Sequence, residues 1–197
     1  IIEELESQKR IAEVPYDEYL DVETWWDLGM NDQTAIWFVQ RNRGQIRLID
    51  YYENAGEGLD HYSHILDQQG FDYSKHIAPF DIKVRELGAF GKSRLESALE
   101  LGISFEVAPK LSIEDGIEAV RKGLSKCWFD KNKCQKGIEY LKAYQKRWDE
   151  KNQCFRNKPM HNYASHCADA FRTGIVGEGA ELTNWKKHIP VNTNYIV

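Results

Sequence analysis

Long apolar runs are missing from this chain of 197 residues. No stretch approaches the roughly 20 consecutive apolar residues of a membrane span, and the N-terminus lacks the basic-then-apolar order of a signal peptide. The chain has four cysteines, at spacings that match no zinc or thioredoxin-like motif. We therefore expect a cytosolic protein with reduced thiols, in which Cys127 and Cys167 fill the core.

A positive net charge is also missing. The formal charge is −5, which by itself argues against a nucleic-acid partner. The sign is uneven, however, because residues 121–158 hold 12 lysines and arginines against four acids, which gives this segment +8 and the remainder −13. An acidic body with one basic segment suits a protein that grips a polyanion with one surface and holds cations with another. A solvated helix face is the alternative interpretation.

The order of apolar patterns predicts one mixed α/β domain. Residues 1–20 are highly charged and show no sustained period, so we interpret them as a linker or lead-in to a domain in 21–197. Strand-like runs at about 22–29, 34–40 and 45–53 predict antiparallel hairpins. The later strands "HIAPFD" and "ISFEVAP" alternate with helices, which indicates a parallel region. Helices are predicted at about 58–69, 92–101, 112–124, 134–149 and 161–176.

Three acids border apolar segments. Asp27 shares a strand face with Trp25, Asp81 ends "HIAPFD", and Asp169 lies on the flank of the last predicted helix. A carboxylate beside a large aromatic is costly unless it is hydrogen-bonded, protonated or bound to a cation. If the three meet, divalent cations such as Mg²⁺ or Mn²⁺ must lie between them, and two such ions can hydrolyse a phosphodiester. Each acid alone can also be a turn residue or a salt-bridge partner.

Four motifs resemble those of a known family. They are "WDLGMNDQTA", an Asp-x-Gly strand end followed by a second acid; "APFDIK", a strand-end acid; "PKLSIEDGIEAVRKGL", a linking helix; and "KPMHNYASHCADAFRTG", a closing motif. In this order they resemble, over about residues 20–176, the C-terminal nuclease domain of the large terminase subunit of tailed bacteriophages, which has a ribonuclease H-like fold. Phe80 and Thr173 depart from the family pattern without removing a carboxylate.

The resemblance implies that Asp27, Asp81 and Asp169 are the catalytic residues and the ligands of two Mg²⁺ or Mn²⁺ ions, with Asp32 as an outer or alternative ligand. It implies a metal-dependent DNA endonuclease that cuts concatemeric viral DNA during genome packaging. No phosphate-binding loop of the G-x-x-x-x-G-K-[ST] type occurs in the sequence, so we expect no ATP site in this fragment.

The resemblance also implies partners and a location. The substrate would be double-stranded DNA. In the full-length protein the partners would be an N-terminal packaging ATPase, the small terminase subunit and the capsid portal, with no membrane involved. The expected location is the host cytoplasm, transiently at the procapsid portal.

Further side chains are secondary candidates. Lys83 can contact a phosphate, and His166, three residues before Asp169, can orient the Asp169 carboxylate or accept a proton. A surface lysine and a structural histidine are the alternatives. Asp32 can also simply form the turn that follows Asp27. The "LGAFGKSR" loop opens a helix whose N-terminus can bind a phosphate. The candidate DNA contacts are Lys92, Arg94, Arg121, Lys122, Lys142, Lys146 and Arg147.

Two other functions are compatible with these patterns. Junction resolvases and transposase-type strand transferases use the same fold and acid triad, and their reaction products distinguish them from a terminase nuclease. A non-catalytic domain that docks a motor to a capsid portal would carry vestigial acids and would need no metal.

Overall fold

The strands and helices that the apolar patterns predict occur in the predicted order, and the structure has further elements that the patterns did not predict. A computed structural model describes residues 2–29, 33–85, 91–144, 146–149, 154–159 and 164–187, of which 146–149, 154–159 and 179–187 are described by their backbone. The strands are β1 (Ile11–Ala12), β2 (Val22–Asp27), β3 (Gln33–Asn42), β4 (Gln45–Ala55), β5 (Tyr73–Ala78), β6 (Phe105–Val107), β7 (Cys127–Asp130), β8 (Lys146–Asp149) and β9 (Cys154–Pro159). The α-helices are α1 (Ile2–Ser7), α2 (Leu59–Gln69), α3 (Arg94–Glu100), α4 (Ile113–Leu124), α5 (Gln135–Ala143) and α6 (Ser165–Lys187), and a short 3-10 helix covers Phe80–Lys83.

Seven strands form one mixed sheet in the order β1-β7-β4-β3-β2-β5-β6, and β8 pairs with β9 in a separate hairpin. The strands β2, β3 and β4 form the predicted antiparallel meander. The strands on either side of this meander are parallel to β2 and β4. All strands of the sheet except β3 therefore end at the same edge, which we call the carboxyl edge. The predicted mixed sheet is confirmed.

The two faces of the sheet bury different aromatic side chains. Trp25 packs against Phe171 on the face covered by α4, α5 and α6, and Trp26 packs against Tyr62 and Phe105 on the face covered by α2 and α3. This split confirms the period of two predicted for β2. Full burial of one large apolar side chain contributes roughly 1.5–3 kcal/mol, so the two aromatic layers are a principal source of stability.

Small residues let α6 lie close to the sheet. A Cβ atom at Gly174 would lie 1.8 Å from Cδ2 of Trp25, and one at Gly177 would lie 2.7 Å from Cγ2 of Ile77. The indole Nε1 of Trp37 donates a hydrogen bond of 3.1 Å to the carbonyl of Cys167. These contacts fix the height and the rotation of α6 above β2, and they bring the N-terminal end of α6 to the carboxyl edge.

Three predicted elements end at other residues than expected. The strand "HIAPFD" ends at Ala78, because Pro79 has no N–H to continue the ladder, and Asp81 lies in the 3-10 helix that follows. The helix predicted over 134–149 ends at Ala143, where Tyr144 takes an extended backbone and the chain continues into β8. The last helix begins at Ser165 and continues to Lys187, beyond the predicted end.

The first residues pack on the sheet. Leu5 of α1 is buried, and β1 pairs in parallel with β7, with Ile11 opposite Phe129. The Asp130 carboxylate accepts hydrogen bonds from the backbone N–H groups of Val14, Asn132 and Lys133. Burial raises the pKa of Asp130, but these bonds outweigh it and the pKa is lowered.

The domain boundary at residue 20 stays a prediction. Among the described helices, none is long and apolar enough to cross a membrane.

The contact of Gly174 with Trp25 predicts a large effect of one added methyl group. Gly174→Ala is expected to lower the free energy of unfolding by about 1–3 kcal/mol, because the buried indole cannot move away without overpacking the core. Gly116→Ala is the matched control, since a Cβ there would meet the flexible side chain of Arg172, with 2.6 Å to its Cδ. Urea denaturation of both variants measures the difference. An equal loss in the two variants would contradict the close approach as its cause.

A half-buried histidine predicts loss of stability in mild acid. Nδ1 of His76 lies 2.6 Å from Oγ1 of Thr24, and burial lowers the pKa of His76 from 6.5 to about 4. Between these values the unfolded chain binds a proton that the folded chain does not. The stability that the neutral imidazole contributes is therefore complete above pH 6.5 and is lost as the pH falls from there through 4. At pH 5 the loss relative to neutral pH amounts to roughly 2 kcal/mol. Urea denaturation at pH 7 and pH 5 should show a smaller acid loss in His76→Gln, and an unchanged loss would contradict the assignment.

Candidate active site

Asp27 is the last residue of β2 and reaches the carboxyl edge on the face covered by α6. Its side chain is 22% exposed, and its Oδ2 lies 2.8 Å from Nδ1 of His166, which is 11% exposed. His166 is the second residue of α6. The contact therefore depends on the close approach of α6 to Trp25. An imidazole that hydrogen-bonds a carboxylate restricts the rotation of both groups.

Asp81 lies at the same edge, beyond the neighbouring strand. β5 pairs in parallel with β2, with Ile77 opposite Trp25, so Pro79 stands beside Asp27 in the register. Asp81 follows two residues later in the 3-10 helix, where it is exposed. Lys83 ends the same 3-10 helix and is also exposed. Both side chains are accessible to a ligand that approaches the carboxyl edge.

Asp169 lies one helical turn after His166 on α6 and is 29% exposed. Its Oδ1 lies 3.0 Å from Nη2 of Arg172. Tyr144 contacts the same pair: burial and the Asp169 charge raise the pKa of Tyr144 to about 12, against the opposing effect of Arg172. Asp169 thus has a guanidinium partner on its own helix, and a phenol from the end of α5 lies next to it.

The candidate ligands do not form a closed cluster. Within the residues that the structure describes, no three His, Cys, Asp or Glu side chains are close enough to share a metal ion. Instead Asp27 faces His166, and Asp169 faces Arg172. Three carboxylates repel each other unless cations lie between them. The donors nevertheless suit a divalent ion, because carboxylate oxygens bind Mg²⁺ or Mn²⁺ and imidazole nitrogens bind transition metals. The predicted ligand Asp32 lies outside the described residues.

A fourth acid lies in the same row of the sheet. Asp27 pairs with Ala35, and Ala35 pairs with Glu53 of β4, so the three side chains point to the same face. The Glu53 side chain is 3% exposed, its Oε1 forms an ion pair with Lys136 of α5, and its Oε2 accepts a hydrogen bond of 2.5 Å from the Tyr51 hydroxyl.

Glu53 is not among the predicted site residues, although the sequence carries a signal for it. The pattern Tyr51-x-Glu53 repeats the pattern Trp25-x-Asp27, in which an acid follows an aromatic on the same face of a strand. Glu53 therefore adds an acid at the carboxyl edge, on β4, two strands away from Asp27 on β2.

Several predicted DNA contacts have protein partners. Nη1 of Arg94 donates a hydrogen bond of 2.6 Å to the carbonyl of Leu28, the residue after Asp27. Lys92 pairs with Glu100 at 2.6 Å, and Lys142 pairs with Glu6 at 2.5 Å. Exposed pairs of this kind contribute at most about 1 kcal/mol, so Lys92 and Lys142 can exchange their partners for a phosphate at small cost. Arg94 instead ties α3 to the end of β2.

The basic segment lies on α4, α5 and the β8–β9 hairpin. Arg121 and Lys122 on α4 lie within 3.8 Å of Glu118 and are mostly exposed. Lys146 and Arg147 belong to β8, which the structure describes by its backbone. The structure therefore places most of this charge on the helices and the hairpin that precede α6.

Comparisons with known proteins show the fold. No protein-family model matches the chain, and no curated protein matches it significantly. Among solved structures, the large terminase of the thermophilic bacteriophage D6E, in complex with ATP-gamma-S, matches with a TM-score of 0.67 and 18% identity, over 89% of this chain and 44% of that one. The chain thus spans less than half the length of the D6E protein.

Two nuclease-domain structures match over most of both chains. The P22 large terminase nuclease domain has a TM-score of 0.64 and 16% identity, over 87% of this chain and 89% of that one. The g2p nuclease domain of bacteriophage SPP1, with bound Mn, has a TM-score of 0.57 and 15% identity, over 81% of this chain and 86% of that one.

The chain therefore has a ribonuclease H-like fold, a mixed sheet with helices on both faces and acids at one edge. More particularly, it has the fold of large terminase nuclease domains, which confirms the resemblance at the level of the fold.

Proposed function

We propose that this chain is the nuclease domain of a phage large terminase and cuts concatemeric viral DNA in a metal-dependent reaction. The observation that carries the proposal is the Asp27–His166 pair at the carboxyl edge, on a fold shared with terminase nuclease domains. Asp81 follows the neighbouring strand β5, and Asp169 lies one helical turn after His166. The fold alone is used by many enzymes and does not define a reaction. The carboxylates at this edge, and not the fold by itself, favour phosphodiester hydrolysis.

The metal would be held by Asp27, Asp81 and Asp169. The SPP1 nuclease domain contains bound Mn, which supports Mn²⁺ or Mg²⁺ as the ion here. Two such ions, when bound, activate a water and stabilise the leaving oxygen of a phosphodiester. His166 can serve as a further nitrogen donor or orient Asp27 from beside it.

The chain's own residues prepare the site for this role. Trp25, two residues before Asp27 on the same face of β2, packs against Phe171 of α6, and His166 fixes the direction of the Asp27 Oδ2 atom. The guanidinium of Arg172 compensates the charge of Asp169 when no cation is bound. Arg94 holds the Leu28 carbonyl, so the chain leaves β2 in one direction. These contacts orient the carboxylates before the substrate binds, which lowers the cost of reaching the reactive geometry.

The proposed substrate is double-stranded DNA. The segment 121–158, with a net charge of +8, provides cations for phosphate contact. Phosphate contacts carry no sequence information by themselves, which suits a cut that is made after packaging a given length of DNA rather than at one fixed site. In the full-length protein we propose a packaging ATPase, the small terminase subunit and the portal as partners.

Supercoiled-plasmid cleavage tests the function. The parent should nick or linearise the plasmid with Mg²⁺ or Mn²⁺ and should be inactive with EDTA. Asp27→Asn, Asp81→Asn and Asp169→Asn should each lose at least about 100-fold in rate, because even residues that only support metal ligands cost about 10–100-fold when replaced.

Folded variants that cut as well as the parent, or a parent that cuts with no metal, would refute the proposal and favour a docking domain. Preferential cutting of four-way junctions would favour a resolvase, and joining of DNA ends would favour a transferase.

Metal binding without DNA provides an independent prediction. At an Mn²⁺ concentration about ten times the Kd, the parent should gain roughly 1.4 kcal/mol of stability, which raises the Tm by about 3–6 °C for a chain of this size. Asp27→Asn should abolish the gain. Asp67→Asn is the matched control, because Asp67 is exposed near the end of α2, away from the carboxyl edge. Thermal unfolding gives both values, and a gain that persists in Asp27→Asn would contradict Asp27 as a ligand.

A further inference from the structure

Two loop segments leave the carboxyl edge side by side, next to Asp81. β5 and β6 are parallel, and the backbone N–H of Ala108 donates a hydrogen bond of 2.9 Å to the carbonyl of Ala78. A proline follows each of these two alanines. Phe80 and Lys110 come directly after those prolines, so their side chains project from neighbouring positions at the end of the sheet.

Lys110 lies over the ring of Phe80. Its Nζ is 5.0 Å from the ring centroid, and the Phe80 side chain is 43% exposed. An ammonium group at this distance is attracted to the negative face of an aromatic ring. The contact therefore holds the lysine over the side chain of the residue that precedes Asp81, while the ring still exposes apolar surface to solvent.

Within the described part of the chain, Lys110 contacts the Phe80 ring but forms no ion pair with a carboxylate. Lys92, Lys136 and Lys142 by contrast all have acidic partners. A polyanion that approaches the carboxyl edge is repelled by Asp27, Asp81 and Glu53. A cation beside Asp81 offsets this repulsion at the point where the substrate must come closest.

We infer that Lys110, supported by the ring of Phe80, binds a phosphate of the DNA backbone beside Asp81 and positions the strand that is cut. The inference rests on the proposed nuclease function, and it adds a positioning residue outside the basic segment 121–158. Phe80 acts through Lys110: its ring keeps the ammonium at the rim and offers an apolar surface to the deoxyribose next to that phosphate.

DNA binding without cleavage tests this contact. Fluorescence anisotropy with a short labelled duplex in EDTA should show binding that is about 3- to 10-fold weaker for Lys110→Ala than for the parent. The slope of log K against log salt should become shallower by about 0.9, the value for one lost phosphate contact. Lys110→Arg should bind within about twofold of the parent, since the charge and the aromatic contact remain. Phe80→Leu should weaken binding by about 2- to 5-fold, in line with a cation–π contact.

Lys9→Gln is the matched control, because it removes one positive charge outside the basic segment 121–158. Lys9 is exposed just before β1, at the end of the sheet opposite the carboxyl edge, so its replacement should leave both the affinity and the salt slope unchanged. Equal weakening by Lys110→Ala and Lys9→Gln would overturn the inference, because the effect would then reflect net charge alone. Only variants whose Tm equals that of the parent are compared, so that a loss of folding does not account for weaker binding.

Cleavage kinetics separate this inference from the proposed function. If Lys110→Ala binds and cuts like the parent while Asp27→Asn is inactive, Lys110 has no positioning role and the nuclease function stands. If the parent neither binds nor cuts DNA, the inference and the proposed function fail together. A raised KM for Lys110→Ala, rescued by Lys110→Arg, supports the contact.

Discussion

The close approach of α6 to the sheet is the constraint on which the candidate site depends. Gly174 rests on the indole of Trp25, and Gly177 rests on Ile77 of the next strand. No other residue type fits between helix and indole without displacing the ring. Because α6 is a rigid rod, this contact near its middle also determines where its N-terminal end lies. His166 consequently reaches the carboxylate of Asp27, which lies two residues after Trp25.

Three acids near the carboxyl edge, Asp27, Glu53 and Asp169, have basic partners on helices that cover one face of the sheet. His166 and Arg172 of α6 face Asp27 and Asp169, and Lys136 of α5 faces Glu53. These partners lower the mutual repulsion of the carboxylates, so the acids can stand at one edge in the absence of metal ions. A bound cation would compete with His166 and Arg172, which makes its binding an exchange of partners rather than the filling of a rigid cage.

Much of the fold could be predicted from local patterns. The period of two correctly assigned Trp25 and Trp26 to opposite faces of the sheet. The predicted strand ends lie at Asp27 and close to Asp81. The strands β1 and β7 were missed because two to four residues are too few to show a period. Pro79 ended β5 earlier than the apolar run suggested. The helix predicted over 134–149 was broken at Tyr144, whose position depends on Asp169 and Arg172, residues that are distant in sequence.

The site was predictable as a set of residue types and not as a set of contacts. The bond between His166 and Asp27 depends on the register of α6 above β2, which local periodicity does not encode. Glu53 carried the same signal as Asp27 and was overlooked because no family motif covered it. Lys110 stood inside a recognised motif, but its place over Phe80 follows from the pairing of β5 with β6, which brings two separate proline turns together.

The lengths of the outermost strands have a consequence for the behaviour of the protein at high concentration. The sheet ends in β1, with two residues, on one side and in β6, with three residues, on the other. An edge strand presents unpaired backbone groups that can template pairing with another molecule, and a very short edge limits that pairing to a few hydrogen bonds. The long, apolar strands β2, β3 and β4 are all interior. The sheet is thereby protected against edge-to-edge aggregation, even though its centre is built from the most aggregation-prone segments of the chain.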